Sequence, residues 1–209
     1  MHDLNTYNLL FRISMNVKIV KVMAKFGTPS SILGAFMIGV TITMTENWSF
    51  TQNTFGELGV MGAGAAILYT SGLLMAGALG MLLAAAFFEF TSGDIVGQAG
   101  SAVFLAFSLS VCLLGISILD LGDWMNYVSP AIYVMIPLSA ALLGYSLYKK
   151  GLKLHAGVGL AAVAIGAAIW VMGGPVNALN QTIALAPFSL WQILVGLHMY
   201  RLEEPDEWD

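Results

Sequence analysis

The chemistry this chain can offer is concentrated in a few polar residues between long apolar runs. Residues 46–59 form the longest polar interruption and contribute Glu46, Asn47, Asn53 and Glu57. A second break supplies Asp120, Asp123 and Asn126, and a third supplies Asn177, Asn180 and Gln181. Carboxylates gathered without a balancing base can bind a hard cation through oxygen, or divide into a general acid and a general base. The candidate site is therefore Asn53, Glu57, Asp120, Asp123 and Asn177, the amides donating to carboxylates that would otherwise repel one another. A plainer role is also open: loops between apolar helices are polar anyway, and Glu57 can cap the helix that follows, where negative charge is favoured. Geometry separates the two. A shared site needs Glu57 within about 10 Å of an aspartate, one Debye length at 0.1 M salt. The loop is expected to be ordered and folded back over the bundle, because Trp48, Phe50 and Phe55 need apolar cover, with Trp124 and Trp170 as the nearest partners.

His155 and His198 fall near one end of two predicted spans. Neighbouring antiparallel helices would place them at one depth, as a pair of axial haem ligands requires. Isolated histidines at a membrane interface are more often wetted edge residues, so no cofactor is expected beyond bound lipid. There is no HExxH, CxxC, Walker loop or GxSxG pattern. Cys112, the one cysteine, lies inside an apolar run and reads as a small packing residue. Asn47-Trp-Ser and Asn180-Gln-Thr match the glycosylation sequon, a pattern short enough to arise by chance.

The elements that must position these residues are set by composition. Of 209 residues, 58% are apolar and 10% charged, and the mean hydropathy is +0.81. Soluble domains carry about a quarter charged residues. A hydrocarbon core of about 30 Å needs roughly 20 apolar residues per helix. Runs at 30–45, 61–90, 97–119, 124–148, 154–172 and 182–200 meet or approach that length. The fold class is all-α: a polytopic membrane protein with six transmembrane helices. Residues 1–26 carry Arg12, Lys18, Lys21 and Lys25 and have no apolar core of a signal peptide, so the first span is expected to serve as the anchor. Lys18, Lys21 and Lys25 share one helical face, and Met15, Ile19, Val22, Met23 and Phe26 share the opposite one. That pattern predicts an amphipathic helix lying in the headgroup layer, or docking a partner subunit. Residues 201–209 read as an acidic, disordered cytoplasmic tail.

Small residues recur at four-residue spacing in the spans: Gly72, Ala76 and Gly80; Gly97 and Ser101; Ala162 and Gly166. Such stripes let helices approach closely, within the bundle or in a dimer. Pro137 should kink the fourth span or draw in a polar partner. All eight Lys and Arg fall on one side of a six-span arrangement, which puts both termini in the cytoplasm of a cell-membrane protein. Apart from Glu89, at a helix end, no Asp, Glu, Lys, Arg or His lies in a predicted bilayer centre. Proton relays and ion-coupled transporters carry such residues, so these classes are disfavoured.

The run Asn53-Thr-Phe-Gly-Glu57-Leu58-Gly59, leading into a Gly/Ala-rich second span, is similar to the N-x-L-S-D/E-L-G signature of an uncharacterised family of six-helix prokaryotic membrane proteins. Asp123-Trp-Met-Asn126 and the Trp191 region are compatible with it, whereas Gly56 stands where that family has Ser and Asn126 where a His is often found. The resemblance implies a six-helix bundle and carries no activity with it. Three functions remain: a non-catalytic subunit or scaffold packing against other membrane helices or a second copy; a binder of lipid or small neutral molecules, or a headgroup enzyme, at the outer carboxylates; and an electron-transfer subunit with interfacial haem. The first fits the packing faces best, with the lipid bilayer as the main partner and no nucleic acid expected.

Overall fold

The computed structural model of the chain describes residues 15–117, 125–171 and 177–203, and the regular elements among them are all helical. The first helix, α1 (Val17–Gly27), begins after Asn16, whose Oδ1 accepts from the Ile19 amide at 3.1 Å. A helix start leaves its first amides unpaired, so an asparagine there is stabilising. Helix α2 (Ser30–Thr43) follows almost at once. Pro29 removes one rung of the ladder, yet Thr28 (φ -57°, ψ -38°) and Pro29 (φ -64°, ψ -10°) stay helical. Together α1 and α2 make one path of 27 residues from Val17 to Thr43.

That path runs antiparallel to α3 (Ala63–Phe90) along nearly its whole length. The Asn16 amide donates to Glu89 Oε1 at 2.6 Å, Gly27 lies against Leu83, Gly34 faces Ala76, Met37 packs on Gly72, and Met44 reaches Gly64. Val17–Gly27 forms the expected amphipathic helix, and its small residues are the ones turned to the bundle. Val20 and Ala24 are fully buried, with Val17 and Gly27 on the same face, while Ile19, Val22 and Phe26 are exposed. The physical reason is the solvent. In water the largest apolar side chains go inside; in lipid they face the acyl chains, and small residues bring backbones together. At 1.5 Å per residue the path is about 40 Å long, against a core of about 30 Å, so its lysine-bearing turns reach the headgroup layer.

The remaining helices are α4 (Ile95–Ser117), α5 (Met125–Lys149), α6 (Lys153–Val171) and α7 (Ala178–Tyr200). Each packs on the next, and α7 closes the bundle against α1. Five segments among the described residues are long and apolar enough to cross a membrane, and α6 supplies a shorter apolar stretch, Lys153–Ile169. Helix α5 runs through Pro137 and α7 through Pro187 without interruption.

The core is filled by aromatic rings. Phe87, Phe104 and Trp191 are fully buried and Phe188 nearly so. Phe87 meets Phe104 edge-on at 5.1 Å and stacks on Trp191 at 6.1 Å, and Phe188 lies 5.6 Å from Trp191. Trp191 Nε1 donates to the His155 carbonyl at 3.0 Å, which satisfies the one polar atom of the largest core side chain. Glycines make room for these contacts. A Cβ added at Gly159 would lie 2.7 Å from Trp191 Nε1.

The predicted small-residue positions divide among several neighbours. Gly72 and Ala76 face α2, whereas Gly80, with Gly77, faces Ser108 and Cys112 of α4. Gly97 meets Thr91 and Ser146, and Ser101 Oγ donates to the Gly97 carbonyl at 2.8 Å. Ala162 is buried in the main core, and Gly166 touches the Ala184 carbonyl of α7.

The bundle has two distinct ends. One, the basic end, gathers Lys149 with Asp94 at 3.9 Å, Lys150 over the Phe90 ring, and the start of α1 on Glu89. The other, the cap end, carries residues 46–59.

Candidate functional site at the cap end

The cap is built from the needs of a helix start. The first amides of α7 point out of the helix with no internal acceptors. Here each is met: Ala178 N–H donates to the Asn53 carbonyl at 2.7 Å, Leu179 N–H to the Phe50 carbonyl at 2.9 Å, and Asn180 N–H to the Asn177 side chain at 3.0 Å. Asn177 Nδ2 donates back to the Thr51 carbonyl at 3.1 Å, and Gln181 Oε1 accepts from Phe55 N–H at 2.9 Å. The loop is therefore ordered, laced to a helix more than a hundred residues away in sequence.

Within the loop, Glu57 sits in the short 3-10 helix Phe55–Gly59. Its Oε1 accepts from Thr54 N–H at 3.0 Å and from Thr54 Oγ1 at 3.1 Å; its Oε2 accepts from Asn53 Nδ2 at 2.6 Å. Asn53 Oδ1 in turn accepts from Ser49 N–H at 2.9 Å. The Asn53 amide, and then the Thr54 backbone N–H, hold the Glu57 carboxyl below its ordinary range. Both oxygens are engaged within the loop, capping the 3-10 turn itself, and the start of α3 at Gly62 takes no side-chain cap.

Trp48, Phe50 and Phe55 cover one another. Trp48 stacks on Phe55 at 6.1 Å and meets Phe50 edge-on at 4.8 Å. Beneath them Leu58 is fully buried with Tyr69 and Leu73, flanked by Ile38 and Ile42. The cap therefore rests on the upper turns of α2 and α3.

Of the five predicted site residues, Asn53 and Glu57 are hydrogen-bonded to each other, and Asn177 joins them through the α7 start. Asp120 and Asp123 lie outside the described residues, as does Trp124. The sequence reading did not find the roles of the Phe50, Thr51 and Asn53 carbonyls, which no side-chain pattern reports. It also passed over Gln192, whose Nε2 donates to Ser30 Oγ at 2.5 Å between α7 and α2, both residues buried. The available signal was a lone glutamine in an apolar run.

At the basic end the two histidines do meet. The rings of His155 and His198 lie 4.8 Å apart, tilted by 52°. Metal–nitrogen bonds of about 2 Å on opposite sides of an iron would hold ring centres roughly 6 Å apart with a macrocycle between them. In this structure the two rings stand closer together than that. No group of three or more His, Cys, Asp or Glu suited to a metal ion occurs among the described residues.

A helical bundle, apolar outside and aromatic inside, with its described charged residues drawn to the two ends, is a polytopic membrane protein. A family model described as protein of unknown function (DUF998) matches residues 30–198, and the chain belongs to that family. No curated protein and no solved structure matches it.

Proposed function

We propose that this protein is a non-catalytic subunit of the cell membrane that packs against other membrane helices, with its basic end and both termini in the cytoplasm. The observation that carries the reading is a second face of α6. Its inner face, Gly159, Ala162 and Gly166, packs in the bundle. Its outer face presents Gly157, Ala161, Ala164 and Ala168 in one exposed stripe. Helix α2 exposes Ala35, Gly39 and Thr43 in the same way, and nothing lies within 4 Å of a Cβ built at Gly39 or Gly157. Lipid tails gain little from a flat small-residue face, whereas a partner helix gains close van der Waals contact. The basic end supports the orientation through the retention of Lys and Arg on the cytoplasmic side. Headgroup chemistry at Glu57 is less favoured, because its oxygens are already committed to Asn53 and Thr54.

The test is photo-crosslinking in native membranes from a reactive residue placed at Ala161, at Gly39, or at the exposed Val134 of α5. Protein adducts from the first two and lipid adducts from Val134 are expected, and the adduct mass distinguishes a second copy from another chain. Lipid adducts alone at all three positions would sink the reading.

A further inference from the structure

We propose that Lys150, His155 and His198 form a binding site for the phosphate of an anionic phospholipid. The three come from separate places in the chain: the turn after α5, the first turn of α6 and the last turn of α7. They converge on one spot. The histidine rings are 4.8 Å apart, the Phe90 ring lies 6.3 Å from His198, and Lys150 Nζ sits 5.5 Å over that same Phe90 ring. All three basic side chains are half-buried.

The charges around them leave room for an anion. The acidic groups approaching from α3 and the turn after it are Glu89, which accepts from the Asn16 amide, and Asp94, which pairs with Lys149 at 3.9 Å and also bears on Lys150. Lys153 and Arg201 add positive charge from the start of α6 and the end of α7, with Glu203 beyond. Neither imidazole has a hydrogen-bond partner among the described residues. Each imidazole can present a ring N–H, and an anion beside the pair can accept from both. Burial lowers Lys150 to about 8, with Asp94 opposing, so a phosphate would restore the charged amine.

A lipid phosphate fits better than a soluble one because of what flanks the site. Leu154, next to His155, is 75% exposed, and Leu197, next to His198, is exposed as well. Tyr148 and Tyr200 stand at the same level, where aromatic side chains mark the membrane interface. Acyl chains can run along the two leucines while the headgroup meets the basic residues, the arrangement of basic pockets between transmembrane helices.

The experiment is a thermal melt of the full-length protein in neutral detergent, titrated with phosphatidylglycerol, phosphatidylcholine or inorganic phosphate. Phosphatidylglycerol should raise the midpoint, with the other two doing little. In Lys150→Gln, and in the His155→Gln/His198→Gln double variant, half-saturation should need at least roughly tenfold more phosphatidylglycerol, as loss of hydrogen bonds to a charged group implies. Lys18→Gln, in α1, should titrate as the wild type. If the double variant does not fold, His198→Gln alone serves with Lys150→Gln. Equal stabilisation by phosphatidylcholine, unchanged affinity in the variants, or equal weakening in Lys18→Gln would overturn the proposal. An equal response to inorganic phosphate would overturn the lipid assignment in favour of a soluble anion.

Discussion

Asn53 and Glu57 hold each other: the amide of Asn53 donates to Glu57 Oε2 at 2.6 Å, while its carbonyl oxygen accepts from Ser49 N–H at 2.9 Å. One asparagine therefore fixes both ends of the loop's final turn. Asn53→Ala should lower stability by about 1–2 kcal/mol, the range for a lost cap or a hydrogen bond to a charged group. Thermal unfolding in detergent measures this. A midpoint equal to that of the wild type would mean the cap contributes nothing to the fold.

Acid should loosen the same turn. The Glu57 carboxyl is held below its ordinary value of 4.5 by Asn53 and then by Thr54. A depressed folded-state value contributes stability that is present above the unfolded value and lost as pH falls through the folded one. Amide exchange at Ala178 and Leu179, whose protons bond to loop carbonyls, should therefore accelerate on acidification below about pH 4.5 beyond the intrinsic pH trend. Glu57→Gln should remove that excess. A variant that keeps it points to another titrating group.

The two faces of α6 should respond oppositely to a single methyl. At Gly159 the added Cβ meets Trp191 Nε1 at 2.7 Å, and Trp191 is fully buried with no room to retreat. Gly159→Ala is expected to destabilise the fold by about 1–3 kcal/mol, as overpacking does. Gly157→Ala meets nothing within 4 Å and should be neutral or slightly stabilising, since alanine is the better helix former. Paired unfolding measurements on the two variants decide it, and equal effects would misplace the inner face of α6.

Raising the pH should strengthen the basic end. Lys150 is lowered from 10.5 to about 8, chiefly by burial. Between those values the unfolded chain binds the extra proton, so stability rises with pH across that window. Lys150→Met should flatten this component of the profile in a melt series from about pH 8 to 10, where the wild type climbs.

Much of this was legible in the chain itself. The apolar runs and the clustering of Lys149, Lys150 and Lys153 with the lysines of α1 mark the helices and one end of the bundle. His155 near the start of one span and His198 near the end of its antiparallel neighbour belong at one level, where the structure has them 4.8 Å apart. The amphipathic helix α1 is legible too, but periodicity alone does not say which of its faces, Val20 and Ala24 or Ile19, Val22 and Phe26, turns to the bundle. The lacing of the loop to α7 was equally hidden. It runs through the carbonyls of Phe50 and Asn53, and every residue has a carbonyl.

The stack of Phe87, Phe104, Phe188 and Trp191 has an electrical meaning. A permeating ion can shed its water only where polar side chains or carbonyls replace it, and packed aromatic rings offer neither. The single indole N–H among them is already given to the His155 carbonyl. Seen as a circuit element, such a core is expected to act as an insulator between two conducting solutions. Purified protein in a planar bilayer should leave the current at baseline, and Trp191→Ala would be the substitution to make first in trying to introduce a leak.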